Sequence, residues 1–179
     1  RGDLRRRGHR FSSESDTEVV VHAYEEWGPD CVTRFNGMWA FALWDQRRRR
    51  LFCSRDRFGI KPFYYFIDDD VFVFASEIKA ILCAALKRAA PDYGSIQAFL
   101  TQVAVCRTNA TLFEGIRCSP AAHNFLVSTD RTEMKSYWDY GSQTQEYDYR
   151  RPEQTFAALL EDSVRLQLRS DVPVGIALS

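Results

Sequence analysis

Residues 38–75 alternate aromatic and β-branched runs with short polar turns, and this limits the possible folds more than any other feature of the chain. Residues 38–44 (MWAFALW) are an almost continuous apolar run, the pattern of a strand covered on both faces. Residues 45–50 read as a polar turn and residues 51–54 as the returning strand. Residues 63–67 and 71–75 flank three aspartates, Asp68, Asp69 and Asp70, and read as a second hairpin. Strands joined by such short turns pair antiparallel, so this part of the chain builds hairpins.

Helices flank the hairpins. Ser15-Asp16-Thr17-Glu18 is a capping-box pattern in which Ser15 caps the helix and Glu18 reaches back to it. Val19, Val20, Ala23, Tyr24 and Trp27 then recur at helical spacing until Gly28-Pro29, which predicts a helix over 16–27. Residues 76–87 repeat the helical period, with Ile78, Ile81, Leu82 and Ala85 on one face. The first half is therefore α+β. Residues 89–92 (AAPD) are the expected seam between two domains, covering 1–88 and 89–179. Beyond it the pattern predicts a short helix over 93–102, a strand over 123–127 and a helix starting at Pro152. That last helix carries an apolar stripe of Phe156, Leu159, Leu160, Val164 and Leu168. It leads into a buried-type strand over 172–178, as the opening of an α/β nucleotide-binding sheet would.

Charge excludes some partners. Lys plus Arg number 24 and Asp plus Glu number 24, so no net field draws the chain toward nucleic acid or an anionic membrane. No run approaches the roughly 18 to 20 apolar residues that cross a bilayer. The basic start has no apolar stretch behind it and is not expected to be a signal peptide. Cys31, Cys53, Cys83, Cys106 and Cys118 are scattered and odd in number, which suits buried, reduced thiols in a cytoplasmic protein. The chain opens on Arg1 and stops at Ser179 within an apolar run, and both ends are expected to be cuts in a longer protein.

Several residues invite a chemical role, and each has a plainer reading. Asp16 can hold a substrate ammonium, but on spacing alone an acid at a first helical turn complements the helix dipole. The arginines at 47–50 read as a solvated turn, because single-strand binders interleave aromatics with their basic residues. Residues 54–62 (SRDRFGIKP) alternate Arg and Asp and are expected to satisfy each other as structural ion pairs. His9, His22 and His123 match no metal-ligand spacing, so no metal ligand is expected. Cys31 has no local base, which favours an inert thiol over a nucleophile.

As strings, the same segments resemble the glutamine-hydrolysing asparagine synthetases. The resemblance rests on GHRFSSESDTEV from Gly8, HAYEEWG from His22, FNGMWAFALWD from Phe35 and LFCSRDRFGIKPFYY from Leu51. It continues with FASEIKAIL from Phe74, TLFEGI from Thr111, SYWDY from Ser136 and LLEDSVRLQLRSDVPVGIALS from Leu159. One departure is Ala121-Ala122-His123, where the family usually has Pro-Gly-His.

The resemblance implies a truncated N-terminal-nucleophile amidotransferase domain of αββα layering. It is followed by the beginning of an α/β ATP-pyrophosphatase-type synthetase domain. In that family an N-terminal cysteine hydrolyses glutamine, and ammonia travels to a site where ATP and magnesium activate aspartate as β-aspartyl-adenylate. Carried over, Asp16 is the glutamine-binding aspartate, while Leu178 and Ser179 begin the ATP-binding loop. The resemblance implies no catalytic residue here, because the nucleophile and oxyanion-hole segments precede Arg1 in the family, and the chain alone is expected to be inactive. The implied partners are glutamine, aspartate and ATP, with no nucleic acid and no membrane, in a cytoplasmic homodimer. Relatives that make β-lactams or modify sugars share the plan, and a non-catalytic scaffold of the same fold is the alternative of another class.

Overall fold

A computed structural model describes residues 1–68, 70–84, 90–102, 109–142, 151–170 and 172–175. Two compact units are present, Arg1–Asp139 and Tyr140–Ser179.

The first unit opens with α1 (Gly2–Arg6) and α2 (Asp16–Trp27), followed by a 3-10 turn over Gly28–Arg34. Its strands are β1 (Ala40–Asp45), β2 (Arg50–Arg55), β3 (Tyr64–Ile67), β4 (Phe72–Ala75), β5 (Ile116–Cys118), β6 (His123–Val127) and β7 (Thr132–Ser136). Two helices, α3 (Ile78–Cys83) and α4 (Tyr93–Gln102), lie between β4 and β5 in sequence. One sheet has the order β1-β2-β6-β7 and the other β4-β3-β5, and all their pairings are antiparallel.

The strand period sorts β2 onto two cores. Phe52 joins Leu4, Ala23, Tyr24, Cys31 and Val32 beneath α2, while Cys53 faces Phe63, Tyr65 and Phe125 on the opposite side. Phe63 stacks on Phe125 at 5.9 Å, so the two sheets meet through aromatic rings. Helix α3 packs on β3 and β4 at the far side. The layers are thus helix, sheet, sheet, helix, the αββα order the resemblance implied.

Three expectations change at this level. β1 was expected to be covered on both faces, but it is the edge of its sheet, with Phe41 and Leu43 turned toward the core and Trp44 54% exposed. A continuous apolar run does not reveal which face has a partner. The seam expected at 89–92 lies inside the first unit, because β6 pairs with β2 and extends that sheet far beyond residue 92. The unit closes where Tyr137 donates its hydroxyl to the Arg55 carbonyl at 2.8 Å and stacks on Trp39. Residues 172–175 form no strand, and the rest of the expected 172–178 strand lies outside the described residues.

The second unit holds α5 (Pro152–Gln167), with Pro152 in its first turn as read from the sequence. It buries none of its described residues, and Phe156, Leu159 and Leu160 are among the exposed ones.

Candidate functional site

A cleft of about 950 Å³ runs along β1. Asp16, Val20 and Tyr24 of α2 line one side, and Lys61, Pro62 and Ser76 also line it. Because β1 is a sheet edge among the described residues, backbone N–H and C=O groups on its outer side have no strand partner there. A groove with a carboxylate at a helix start and an open strand edge can hold a small molecule bearing an ammonium group and amide-like polar atoms.

Asp16 is the first helical residue, after the Ser15 cap, whose hydroxyl oxygen accepts from Thr17 N at 3.2 Å. Its carboxylate is exposed and, among the described residues, makes no hydrogen bond or ion pair. The reciprocal arm of the capping box is absent. Glu18 accepts instead from Ser12 N at 2.6 Å, Ser13 N at 2.7 Å and Ser13 Oγ at 2.7 Å, while Ser15 N donates to Ser13 Oγ. The Ser12 amide and the Ser13 hydroxyl hold the Glu18 carboxyl down at about 2. Glu18 thereby folds the approach segment onto α2 and leaves Asp16 the free acid of the turn.

At the other end of β1, buried Asp45 accepts from the Tyr24 hydroxyl at 3.0 Å, Arg48 N at 3.0 Å and Arg48 Nη1 at 3.1 Å. Burial would raise its pKa, but the Arg48 amide, the Tyr24 hydroxyl and the Arg48 guanidinium together lower it. Arg50 donates to the Tyr24 oxygen at 3.1 Å. The arginine turn is therefore solvated except at its end: Arg50 fastens α2 to the hairpin through Tyr24, Arg48 bonds Asp45 within the hairpin, and Arg47, Arg48 and Arg49 are exposed.

The 54–62 loop is structural, as its composition suggested, but not through ion pairs. Asp56, 1% exposed, accepts from the amides of Trp39, Phe58, Ile60 and Lys61. Arg55 donates to the carbonyls of Gly59, Lys61 and Ser119, and Arg57 to those of Thr33 and Phe35. Gly59 sits at φ +63, and a Cβ there would come within 3.1 Å of the Arg55 guanidinium. Bonds from fixed charges to backbone give this loop one shape, and that shape sets Lys61 and Pro62 on the cleft rim.

Cys31 and Cys53 are buried, and desolvation pushes both thiols up to about 12, which makes them inert. Cys83 is exposed rather than buried. Cys106, Leu178 and Ser179 lie outside the described residues, so the ATP-loop assignment has no structural description here. Spacing missed one cluster. His9, from the segment after α1, meets His22 and Glu25 of α2. His22 and Glu25 share a helix face legible in the sequence, but no local signal brings in His9.

A family described as glutamine amidotransferase domain matches residues 1–138, and its end coincides with the close of the first unit. Asparagine synthetase 3 (glutamine-hydrolyzing) of Bacillus subtilis is 41% identical over 180 residues, covering 100% of this chain and 29% of that protein. Amidase chry2 of Gibberella zeae is 31% identical over 182 residues, covering 95% of this chain and 25% of that protein. The chain thus spans less than a third of the length of these curated relatives. Among solved structures, glutamine phosphoribosylpyrophosphate amidotransferase from B. subtilis superposes with a TM-score of 0.50 at 17% identity, over 76% of this chain and 26% of that one. That likeness shows the fold. No helix among the described residues is long and apolar enough to cross a membrane. The matched span and the two-sheet layering agree, and the chain belongs to the glutamine amidotransferase domain family.

Proposed function

We propose that this chain is part of a glutamine-hydrolysing asparagine synthetase and that its cleft binds the glutamine whose amide supplies ammonia. The observation that carries the reading is the Asp16 carboxylate, unengaged at the start of α2 and on the rim of the β1 cleft. An ammonium placed there gains a charge-assisted hydrogen bond of about 1.5–3 kcal/mol. Identity to an asparagine synthetase over the whole chain supports the choice among amidotransferases.

In the whole protein, glutamine and water give glutamate and ammonia. ATP with magnesium converts aspartate to β-aspartyl-adenylate with release of pyrophosphate, and ammonia displaces AMP to form asparagine. Leu178 and Ser179 would begin the phosphate-binding loop of that second site, which small residues and backbone amides suit. The nucleophile is not Cys31 or Cys53, whose thiols burial keeps protonated. Residues beyond Asp139 belong to the synthetase part, and the whole protein is a cytoplasmic homodimer.

The test uses the full-length protein and the Asp16→Asn variant. With glutamine as donor, the variant's KM for glutamine is expected to rise about tenfold or more, matching loss of one charge-assisted bond. Activity with ammonia as donor is expected to stay unchanged, because only the amidotransferase site is altered. An unchanged glutamine KM would overturn the role of Asp16. Product analysis with aspartate, ATP and magnesium separates asparagine from the β-lactam or modified sugar that a relative of the same plan would make.

A further inference from the structure

We propose that His9, His22 and Glu25 form a binding site for a divalent transition metal of the zinc type. The site does not depend on the glutamine reading. At 3.6 residues per turn, His22 lies on the flank of α2 away from Asp16, Val20 and Tyr24, and Glu25 stands between the two flanks, where it also lines the cleft.

The geometry of the donor atoms carries the proposal. His9 Nδ1 lies 3.2 Å from His22 Nδ1, and Glu25 Oε2 lies 2.9 Å from His22 Nδ1 and 3.7 Å from His9 Nδ1. Ligands bound at about 2.0–2.1 Å around tetrahedral zinc are about 3.3 Å apart, and the three edges bracket that value. Two imidazoles and a carboxylate are a zinc donor set, with a fourth position left for water.

The second nitrogens agree with this. Metal at Nδ1 requires the proton on Nε2, and each Nε2 faces a carboxylate. His9 Nε2 is 3.2 Å from Glu26 Oε2, and His22 Nε2 is 3.8 Å from Glu18 Oε1. At hydrogen-bond distance, as for His9 with Glu26, such a pair orients a metal ligand and strengthens it, while Glu18 lies beyond that distance from His22. Hydrogen serves the triangle less well than a cation. One proton on His22 Nδ1 must be shared between Glu25 and His9, whereas a cation makes a bond to all three atoms. The site is also reachable, since the side chains of His9 and His22 are 15% and 19% exposed and that of Glu25 is 58% exposed. A bound ion would staple the segment after α1 to the helix that carries Asp16.

The experiment is titration of the full chain with zinc by calorimetry and with cobalt(II) by visible absorption. One equivalent is expected, with the intense absorption of tetrahedral cobalt, no thiolate charge-transfer band, and a higher unfolding temperature with zinc. His22→Gln is expected to abolish binding, and Glu25→Gln to weaken it by about tenfold or more. Glu26→Gln, which removes the outer partner of His9 and the ion partner of Arg7 but no metal ligand, should weaken it roughly 10–100-fold. Absence of a saturating one-to-one event in the unaltered chain overturns the site. So does equal affinity in the Glu25→Gln variant, whose exposed position keeps it informative even if His22→Gln fails to fold.

Discussion

Asp56 takes four backbone amides on two carboxylate oxygens, two on each, and this holds residues 56–61 in place. Asp56→Asn keeps one acceptor and turns an amide toward donors, so it should destabilise the first unit by about 2–4 kcal/mol. A lower urea midpoint at constant slope is the expected signature, and an unmoved midpoint contradicts it. Ala122 stands at φ +57, in the left-handed region, where the resembled family usually has glycine. The backbone strain of about 1–2 kcal/mol is offset by burial of its methyl, worth about 0.8, and by the lower unfolded-chain entropy of Ala, about 0.4–1. Ala122→Gly should therefore change stability by less than about 1 kcal/mol, whereas Ala122→Val, branched at Cβ, should lose more than about 2. Thermal unfolding of the pair checks the contrast. Glu18 has a folded-state pKa of about 2 against an ordinary value of 4.5, so folding favours its ionised form. Its stabilisation is complete above about pH 4.5 and is lost as the pH falls toward about 2. Glu18→Gln should flatten the acid side of the stability curve in that window, which denaturant titrations at stepped pH would show.

Helices α2 and α5 have the same apolar periodicity in sequence but opposite fates. α2 lies over the core that includes Phe52, which is fully buried, while α5 leaves Phe156 67% exposed. The 3.6-residue period identifies a face, but coverage of that face depends on segments elsewhere in the chain. Phe52→Ala should destabilise the first unit by about 3–5 kcal/mol. Leu160→Ala should change chain stability by no more than about 0.5 kcal/mol. Equal losses in chemical denaturation would show that α5 is packed after all. The hairpins were equally legible, because turn residues and strand texture are local, and β1-β2 and β3-β4 pair as expected. That β1 is the edge was not legible, since strand order is settled by non-local pairing.

For the whole chain, the position of the boundary follows from the β1-β2-β6-β7 sheet alone. β6 pairs with both β2 and β7, so a chain ending at residue 88 lacks two of that sheet's four strands. Such a chain should show no cooperative unfolding and no fixed near-ultraviolet aromatic signal. A chain of residues 1–139 should unfold in one transition close to that of the full chain. Cooperative melting of the shorter chain would restore the boundary near residue 89.

The sequence alone determined what depends on neighbours a few residues apart: the bounds of α2, the two hairpins, the Pro152 start of α5, and the strings that resemble one enzyme family. Caps, turns and periodicity act over one or two turns of chain, so they survive without knowledge of the fold. Tertiary structure decided what depends on convergence. It placed β6 beside β2, turned Asp56 onto four amides instead of its neighbouring arginines, and set His9 against His22. Among the described residues it also left Asp16 unengaged beside an open strand edge. Local spacing ranks a helix-start acid as a cap, and only the packing of α2 along β1 makes that acid one wall of a cleft.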